Sequence, residues 1–373
     1  MSYFFVIGIF EAISLFVLIA EKKNKSLADK ILGGVFLLFG LNILLSFIEY
    51  HNRQNGYPFP AFIQTTPSFI LLHGPMLWFY VKAQTEQDFH FKPVHLLHFL
   101  PFVIMQVHFS FSIYFLPQDV KIQMDATEGF KKMPIYTPMM MMILISPPLY
   151  YVWALTILRK YTRRIKNYFS KIEHIDLHWL RVLLISSLTM TIIINGSFFV
   201  DHFVHLAPFG LMQAASFAFV SIYVLFLGFF GHKQEGVYTK VLLKQVDKSF
   251  WPENSINKTD EDFIYRLLSI MKEKKPYLNP DLTLSALSTE MGVTEEFLSG
   301  ILNGQLNRNF FDFVNHYRVE DFKVQCLDPQ NTNLTLIGIA YNCGFNSKAT
   351  FNRVFKKMTN LTPGEFKQHV SIK

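Results

Sequence analysis

The chain has 373 residues, of which 50% are hydrophobic and 40 are Phe, whereas only 17% are charged. Ordinary soluble domains carry about 25% charged residues, so this composition argues against a protein that is soluble along its whole length. The formal net charge of +7 favours contact with phosphates or anionic lipids, and two cysteines, Cys326 and Cys343, are too few for a disulfide-stabilised fold.

Seven apolar segments precede a polar C-terminal part. A helix needs about 20 mostly apolar residues to cross the hydrocarbon core of a bilayer. The segments that approach this length are 3–20, 31–48, 67–81, 94–115, 135–158, 180–200 and 209–231. The third is short and contains Gly74 and Pro75, and the first lacks the basic start and small-residue cleavage site of a signal peptide. We therefore expect a bundle of seven permanent transmembrane helices over residues 1–231.

The distribution of Lys and Arg predicts the orientation of this bundle. Loops 21–30, 82–93 and 159–179 together carry twelve Lys and Arg residues, whereas the three alternate loops carry four. Basic loops stay on the cytoplasmic side, so the N-terminus should lie outside and everything beyond residue 231 in the cytoplasm. Loop 159–179 is most simply an anchor for lipid headgroups, and a contact with the C-terminal part is the alternative.

A polar linker follows the last apolar segment, from residue 232 to residue 275. It contains one predicted amphipathic helix, because Phe263, Leu267, Leu268 and Met271 recur at helical spacing. Pro276 then marks a boundary. We expect the apolar stripe of this helix to serve in pairing or docking.

The last part of the chain, residues 276–373, repeats a pattern of helix, glycine and helix. The first unit covers about 283–303 and the second about 335–358, and a connecting helix of roughly 18 residues is predicted over about 310–327. Such a helix is about 27 Å long. That length could hold the two units about one turn of a DNA duplex apart.

The turn of each unit has the same local chemistry. Gly292 and Gly344 allow the positive φ that a tight helix-turn-helix bend often needs. Thr294 and Ser347 follow at the predicted N-caps of the second helices, where a hydroxyl oxygen accepts from an unpaired helix N–H group. The spacing therefore predicts two structurally equivalent helix-turn-helix units.

Four short motifs of this region are shared with a known family. They are the connecting helix RVEDFKVQCL, the run IGIAYNCGF, the recognition-helix segment FNRVFKK and the terminal TPGEF. In these motifs residues 276–373 resemble the DNA-binding domain of AraC/XylS-type transcription regulators. A seven-helix module ahead of such a domain is similar to the layout of membrane-bound bacterial regulators. The resemblance implies binding to double-stranded DNA, and positions Lys348, Ala349 and Arg353 match the family's major-groove readers.

The second recognition helix carries most of the predicted DNA contacts. Phe351, Val354, Phe355 and Met358 form its apolar side. The planar guanidinium of Arg353 can bond to guanine O6 and N7, whereas lysines further along are suited to phosphates. The full set of predicted contacts in this unit is Asn346, Ser347, Lys348, Ala349, Asn352, Arg353, Lys356 and Lys357.

The first unit departs from the family pattern, because its recognition helix starts with Glu295 and Glu296 and has Gly300 where a basic residue is common. Residues 276–343 hold three Lys and Arg against eight Asp and Glu, whereas residues 344–373 hold six against one. Acidic groups repel phosphates, so we expect weaker contacts here. These predicted contacts are Thr294, Glu296, Ser299, Asn303 and Arg308, with Arg318 in support.

The membrane half contains ionisable residues near its predicted outer side, namely His73, His108, Asp201, His202 and His205. Ionisable residues inside a membrane are functional candidates by default. Asp201, His202 and His205 could hold a metal ion if the bundle closed over them. The alternative is that these residues are interfacial and bond to backbone, lipid headgroups or water. No motif indicates a resident cofactor, and we expect none.

The sequence thus predicts an all-α protein with a polytopic seven-helix membrane bundle, a cytoplasmic linker and a cytoplasmic domain of two helix-turn-helix units joined by a linker helix. We expect a non-enzymatic regulator in the inner membrane that binds DNA as a homodimer and senses an unknown ligand or partner membrane protein. One alternative is a membrane enzyme or transporter with a regulatory tail, metal-dependent at the outer bundle edge. Another is a regulator that proteolysis in the linker releases.

Overall fold

A computed structural model describes residues 2–86, 88–173, 175–205, 207–231 and 258–371. These residues are helical with no strand, apart from one isolated antiparallel bridge between Phe169 and Thr283. The chain forms two compact units, one of Met1–Arg159 with Leu177–Val237 and one of Lys160–Asp176 with Tyr238–Lys373. Residues 232–257 of the predicted linker lie outside the described residues.

The first unit is built from long apolar helices. Among the described residues, five helical segments are long and apolar enough to cross a membrane, namely Tyr3–Ala20, Leu27–Gln54, Pro93–Tyr114, Tyr136–Ile165 and His178–Val204. The helices of this unit are α1 (Ser2–Ala20), α2 (Leu27–Gln54), α3 (Thr66–Thr85), α4 (Leu100–Phe109), α5 (Gln118–Ala126), α6 (Tyr136–Ile165), α7 (His178–Val204) and α8 (Phe209–Gly231).

Two of the seven predicted spans are not among these five segments. The third predicted span is helical as α3, but it carries polar Ser68, His73 and Lys82 along its length. The seventh is helical as α8, and its part with described side chains, Phe209–Val224, is a shorter apolar helix. The number of seven spans therefore stays a prediction.

The fourth predicted span, 94–115, is not one continuous α-helix. It consists of a 3-10 helix at Pro93–Phe99, then α4, then a π-helical turn at Ser110–Tyr114. Pro101 lies in the first turn of α4, where its missing N–H leaves no hydrogen bond unmade. Pro101 thus lies where the 3-10 helix gives way to α4, whereas no proline lies at the change from α4 to the π-helical turn.

A buried polar network joins several helices of this unit. Arg53 of α2 donates to both carboxylate oxygens of Asp125 in α5, each at 2.8 Å, and also bonds to Gln213 of α8. Gln213 donates to Glu49 of α2, which accepts from the N–H and the hydroxyl of Thr66 at 3.1 and 2.9 Å. Since Glu49 is 2% exposed, these donors offset the cost of burying its carboxylate.

The second unit consists of shorter helices, which are α9 (Lys258–Glu273), α10 (Leu284–Met291), α11 (Glu295–Gly300), α12 (Phe310–Leu327), α13 (Leu336–Asn342), α14 (Lys348–Thr359) and α15 (Pro363–Ser371). The connecting helix α12 has the predicted length of 18 residues. Cys326 and Cys343 are buried free thiols, and burial raises the pKa of Cys343 to about 12.

The amphipathic helix α9 packs inside this unit. Leu267 and Met271 are fully buried, and the ring of Phe263 lies 4.9 Å from the ring of Phe297 in the first helix-turn-helix unit. Lys274, just after α9, forms an ion pair with Glu290 at 3.1 Å. The predicted stripe therefore docks on the first helix-turn-helix unit of the same chain.

Candidate nucleic-acid interface

Both turns have the geometry that their sequences predict. Gly292 has φ +69° and Gly344 has φ +89°, values that disfavour any residue with a side chain. A Cβ atom at Gly344 would also collide with the carbonyl oxygen of Tyr277. The predicted N-caps are confirmed, because Thr294 and Ser347 accept from the backbone N–H groups three residues later, at 3.2 and 3.4 Å.

The recognition helix α14 separates an apolar side from a basic side. Thr350, Phe351, Val354 and Phe355 are buried, and the Phe351 ring lies 4.7 Å from Phe322 of α12. Seven of the eight predicted DNA contacts of this unit are exposed, while the N-cap Ser347 is half-buried. The exposed residues are Asn346, Lys348, Ala349, Asn352, Arg353, Lys356 and Lys357. Packing against α12 thus presents Arg353 and its neighbours to a partner.

One cation on this surface already has a protein partner. Lys357 forms an ion pair with Asp312 of α12 at 2.8 Å. Its side chain is 59% exposed, so the pair is worth little on its own and a phosphate can compete for the lysine. We therefore expect Lys356 to contact phosphate more readily than Lys357.

The first recognition helix is shorter and less exposed. Helix α11 has six residues and continues into a π-helical turn, Ile301–Gln305. Ser299, a predicted DNA contact, is 2% exposed and its oxygen accepts from Asn303 Nδ2 at 3.2 Å, so it is not accessible to DNA in this structure. Thr294, Glu296 and Arg308 are exposed, and Asn303 is half-buried.

Arg318 is not available to DNA, contrary to the supporting role predicted for it. It lies on α12 and is 2% exposed. Its guanidinium donates to the carbonyl oxygens of Tyr277 and Asn279, each at 2.8 Å, and to Ser170 Oγ and Asn315 Oδ1, each at 3.3 Å. Burial lowers the pKa of Arg318 to about 10, which still leaves it protonated at neutral pH. Arg318 therefore holds the unit together.

A segment of the basic loop 159–179 belongs to the same compact unit as the C-terminal helices. Residues 166–171, here called the clasp, contact the start of two helices. The carbonyl oxygen of Tyr168 accepts from Leu284 N, and that of Lys166 accepts from Phe311 N, each at 2.9 Å. Leu284 and Phe311 lie in the first turns of α10 and α12, where helix N–H groups lack partners within the helix. The clasp therefore caps both helices.

Side chains fix the clasp in this position. Ser170 is 1% exposed; its hydroxyl donates to the carbonyl of Leu282 at 2.6 Å, and its own carbonyl accepts from Asn315 Nδ2 at 3.2 Å. Lys171 forms an ion pair with Asp281 at 3.0 Å. The sequence left two interpretations of the basic loop, an anchor for lipid headgroups and a contact with the C-terminal part. The contact is observed, because the clasp bonds to the helix-turn-helix region within the second unit. Sequence reasoning missed Ser170 and Asn315, although an Asn among the phenylalanines of α12 was a visible signal.

Two of the three candidate metal ligands in the membrane half, Asp201 and His202, have polar partners within the protein. Asp201 is 1% exposed and forms an ion pair with Lys131 at 3.0 Å. His202 Nε2 lies 3.3 Å from the Thr137 hydroxyl, and His205 ends α7. Within the described ranges, no group of three His, Cys, Asp or Glu side chains could hold a metal ion.

Comparison with known proteins indicates which kind of domain the C-terminal region resembles. Residues 287–369 match the family model of a helix-turn-helix domain. This region is an AraC-type helix-turn-helix domain. The matched residues include both turns, the connecting helix α12 and the exposed basic face of α14.

The curated relatives cover the same region. An uncharacterised HTH-type transcriptional regulator of Staphylococcus aureus strain COL is 37% identical over 91 residues, which make up 24% of this chain and 12% of the relative. An uncharacterised HTH-type transcriptional regulator in the cgkA 5′ region of Pseudoalteromonas carrageenovora is 30% identical over 95 residues, 26% of this chain and 54% of the relative. The chain thus matches only part of each relative, and no solved structure matches it.

Proposed function

We propose that this protein is a membrane-anchored, sequence-specific DNA-binding transcription regulator that senses a signal through its membrane helices. The observation that carries this proposal is the exposed basic face of α14, presented by a capped helix within an AraC-type helix-turn-helix domain. Such a helix enters the major groove, where Arg reads guanine and Lys binds phosphates. The names of the relatives as HTH-type transcriptional regulators support the same function.

The two helix-turn-helix units contribute unequally to DNA binding. The second presents Lys348, Arg353 and Lys356, whereas the first presents Glu296 and buries Ser299. Each phosphate contact adds affinity by releasing counterions, so the second unit supplies most of it. A homodimer in the membrane plane compensates for the weak first unit, because anchoring two copies raises their effective concentration at one operator.

Five long apolar helices and the basic loops support an inner-membrane location with the C-terminal domain in the cytoplasm. Two stretches of chain connect the membrane helices to this domain. One is the linker 232–275, and the other is the clasp, which begins at the residue that follows the end of α6 at Ile165. A signal acts by favouring one state of the bundle over another, since a ligand shifts an equilibrium only by its differential affinity.

We propose that the clasp is the route by which the signal reaches DNA binding. Its carbonyl groups cap α10 and α12, so a shift of the C-terminal end of α6 changes the start of the first helix-turn-helix unit and of the connecting helix. The separation of the two recognition helices depends on α12, and this separation decides whether both reach successive major grooves. In this proposal the clasp controls how the two recognition helices are presented to DNA.

Mapping of DNA-bound sites in cells that express the full chain tests the main proposal. We expect discrete sites with a shared motif, and we expect Arg353→Ala to remove them. Lys272→Ala is the matched control, because it removes an exposed cation from α9, outside both recognition helices. An absence of discrete sites for the full chain, or equal maps for the parent and Arg353→Ala, would refute sequence-specific binding through α14.

A disulfide lock tests the clasp. Phe169 and Thr283 form an antiparallel bridge, whose paired Cα atoms lie about 4.5–5.5 Å apart, within the range of a disulfide. In a Cys326→Ala, Cys343→Ala background, the pair Phe169→Cys and Thr283→Cys should cross-link on oxidation, whereas either single cysteine should not. The locked protein should bind its mapped sites but lose condition-dependent transcription of the adjacent gene. Normal regulation by the locked protein would exclude the clasp as the signal route.

A further inference from the structure

The first unit contains a partly open cavity of about 130 Å³, lined mainly by residues of α2, α3, α6, α7 and α8. Most of its wall is apolar, with side chains such as Phe39, Ile70, Met140, Ile143 and Phe198. Concave apolar sites with a few convergent polar groups are typical of small-molecule binding.

Three polar side chains line this cavity with buried atoms that have no hydrogen-bond partner in the described part of the chain. They are Asn42, for both its amide oxygen and nitrogen, Gln64, for Nε2, and His73, for Nε2. Asn42 is 1% exposed and Gln64 is 3% exposed. Burying such groups without partners destabilises a fold, so a bound water or a ligand group is expected to complete them. Asn42 lies on α2, Gln64 lies just before α3 and His73 lies on α3, and all three residues line the same cavity.

The chemistry of the wall restricts the occupant. Among the described residues that line the cavity there is no Asp, Glu, Lys or Arg, so nothing there neutralises a charged ligand. The volume is close to that of an engineered apolar cavity of about 150 Å³ that binds benzene, so the occupant has roughly six to ten non-hydrogen atoms. Asn42 can donate one hydrogen bond and accept another, which suits a group that does both.

We propose that this cavity is the ligand site of the membrane module and takes a small, uncharged, mainly apolar molecule with an amide-like head group. The head group bonds to Asn42, Gln64 and His73, and the apolar body packs against α6 through Met139, Met140 and Ile143. The assignment of this molecule as the signal rests on the proposed function. Because α6 ends where the clasp begins, occupancy of the cavity acts on the helix that leads to the DNA-binding domain.

Fluorinated probes test this site on the purified full chain in phosphatidylcholine nanodiscs. 4-Fluorobenzamide has the proposed shape and head group, 4-fluorotoluene has the shape alone, and 4-fluorobenzoate adds a charge. We expect saturable binding of the first two, one molecule per chain, and no saturable binding of the benzoate, measured by fluorine NMR. Asn42→Leu should weaken the binding of 4-fluorobenzamide by about ten-fold or more, because two hydrogen bonds are lost. It should leave the binding of 4-fluorotoluene unchanged.

Ser46→Ala is the matched control. Ser46 lies one turn further along α2 and has a buried, unpartnered hydroxyl, but it does not line the cavity, so this variant should bind both probes normally. No saturable binding of either neutral probe would mean that the cavity holds only water. Benzamide binding that Asn42→Leu does not weaken would refute recognition of the head group in this cavity. DNA binding is measured separately without any probe, so a failure of the ligand site is distinguishable from a failure of the regulatory function.

Discussion

The role of Arg318 gives the most decisive prediction. Arg318→Met keeps a side chain with a long apolar stem but removes the guanidinium. The carbonyl oxygens of Tyr277 and Asn279 therefore lose donors at 2.8 Å. Hydrogen bonds from a charged group are worth about 1.5–3 kcal/mol each, which gives a loss of roughly 3–6 kcal/mol for the two shortest. Because a buried charge also carries a desolvation cost that Met avoids, we expect a net destabilisation of about 2–4 kcal/mol.

This loss is large compared with the stability of a domain, which is about 5–15 kcal/mol. The melting temperature of the second unit should fall by roughly 10 °C or more. The assay is hydrogen exchange of the purified full chain as a function of temperature, read at the amides of Leu284 and Phe311, whose acceptors are clasp carbonyls. These amides should exchange faster in Arg318→Met, because Arg318 also donates to Ser170 of the clasp.

Arg308→Met is the matched control, since Arg308 is an exposed arginine of the same unit. It should leave the melting temperature and the exchange rates unchanged. The opposite pattern would refute the reasoning. If Arg318→Met kept its melting temperature and exchange protection but lost DNA affinity with a shallower salt dependence, its guanidinium would contact phosphate, as the sequence first indicated.

Three further outcomes test the DNA interface and the topology. Arg353→Ala should cost about 1–3 kcal/mol of binding free energy on the preferred site and less on random DNA. Lys356→Ala should weaken binding to all sequences alike and reduce the slope of the salt dependence by about one unit. Both effects are measured by titration of labelled duplexes. Glu296→Ala should leave the affinity in the same titration equal or higher, because the carboxylate repels phosphate; a large base-specific loss would show that the first unit reads sequence. A reporter that is active only in the cytoplasm should be on when fused after Lys233 and off when fused after Met124; the reverse pattern would overturn the proposed orientation and the DNA-binding function with it.

Local chemistry in the sequence was sufficient to predict much of the local structure in the C-terminal compact unit. The turns at Gly292 and Gly344 and the N-caps Thr294 and Ser347 were predictable, because a left-handed φ and an unpaired helix N–H each select a few residue types. The buried side of α14 followed from helical spacing alone, except that Met358 is half-buried. The AraC-type domain was identifiable for the same reason, since its motifs are short and contiguous.

Several predictions failed where residues far apart in the chain meet. The sequence could not place Arg318 in a buried hub, because its partners lie about 40 residues upstream in Tyr277 and Asn279 and 148 residues away in Ser170. Nor could it show that Lys131 pairs with Asp201, 70 residues distant. Charge and spacing indicate what a side chain can bind, and they leave open which of several partners reaches it.

The sequence by itself determined the composition of the two halves, the apolar helices, the two glycine turns with their N-caps and the basic face of α14, because these depend on periodicity and on contacts between near neighbours. Only the tertiary structure decided that the clasp caps α10 and α12, that Arg318 and Ser299 are buried, and that Asn42, Gln64 and His73 line one cavity. The physical reason is that such contacts join segments distant in sequence, and their positions are fixed by packing of the whole unit, which no local pattern records.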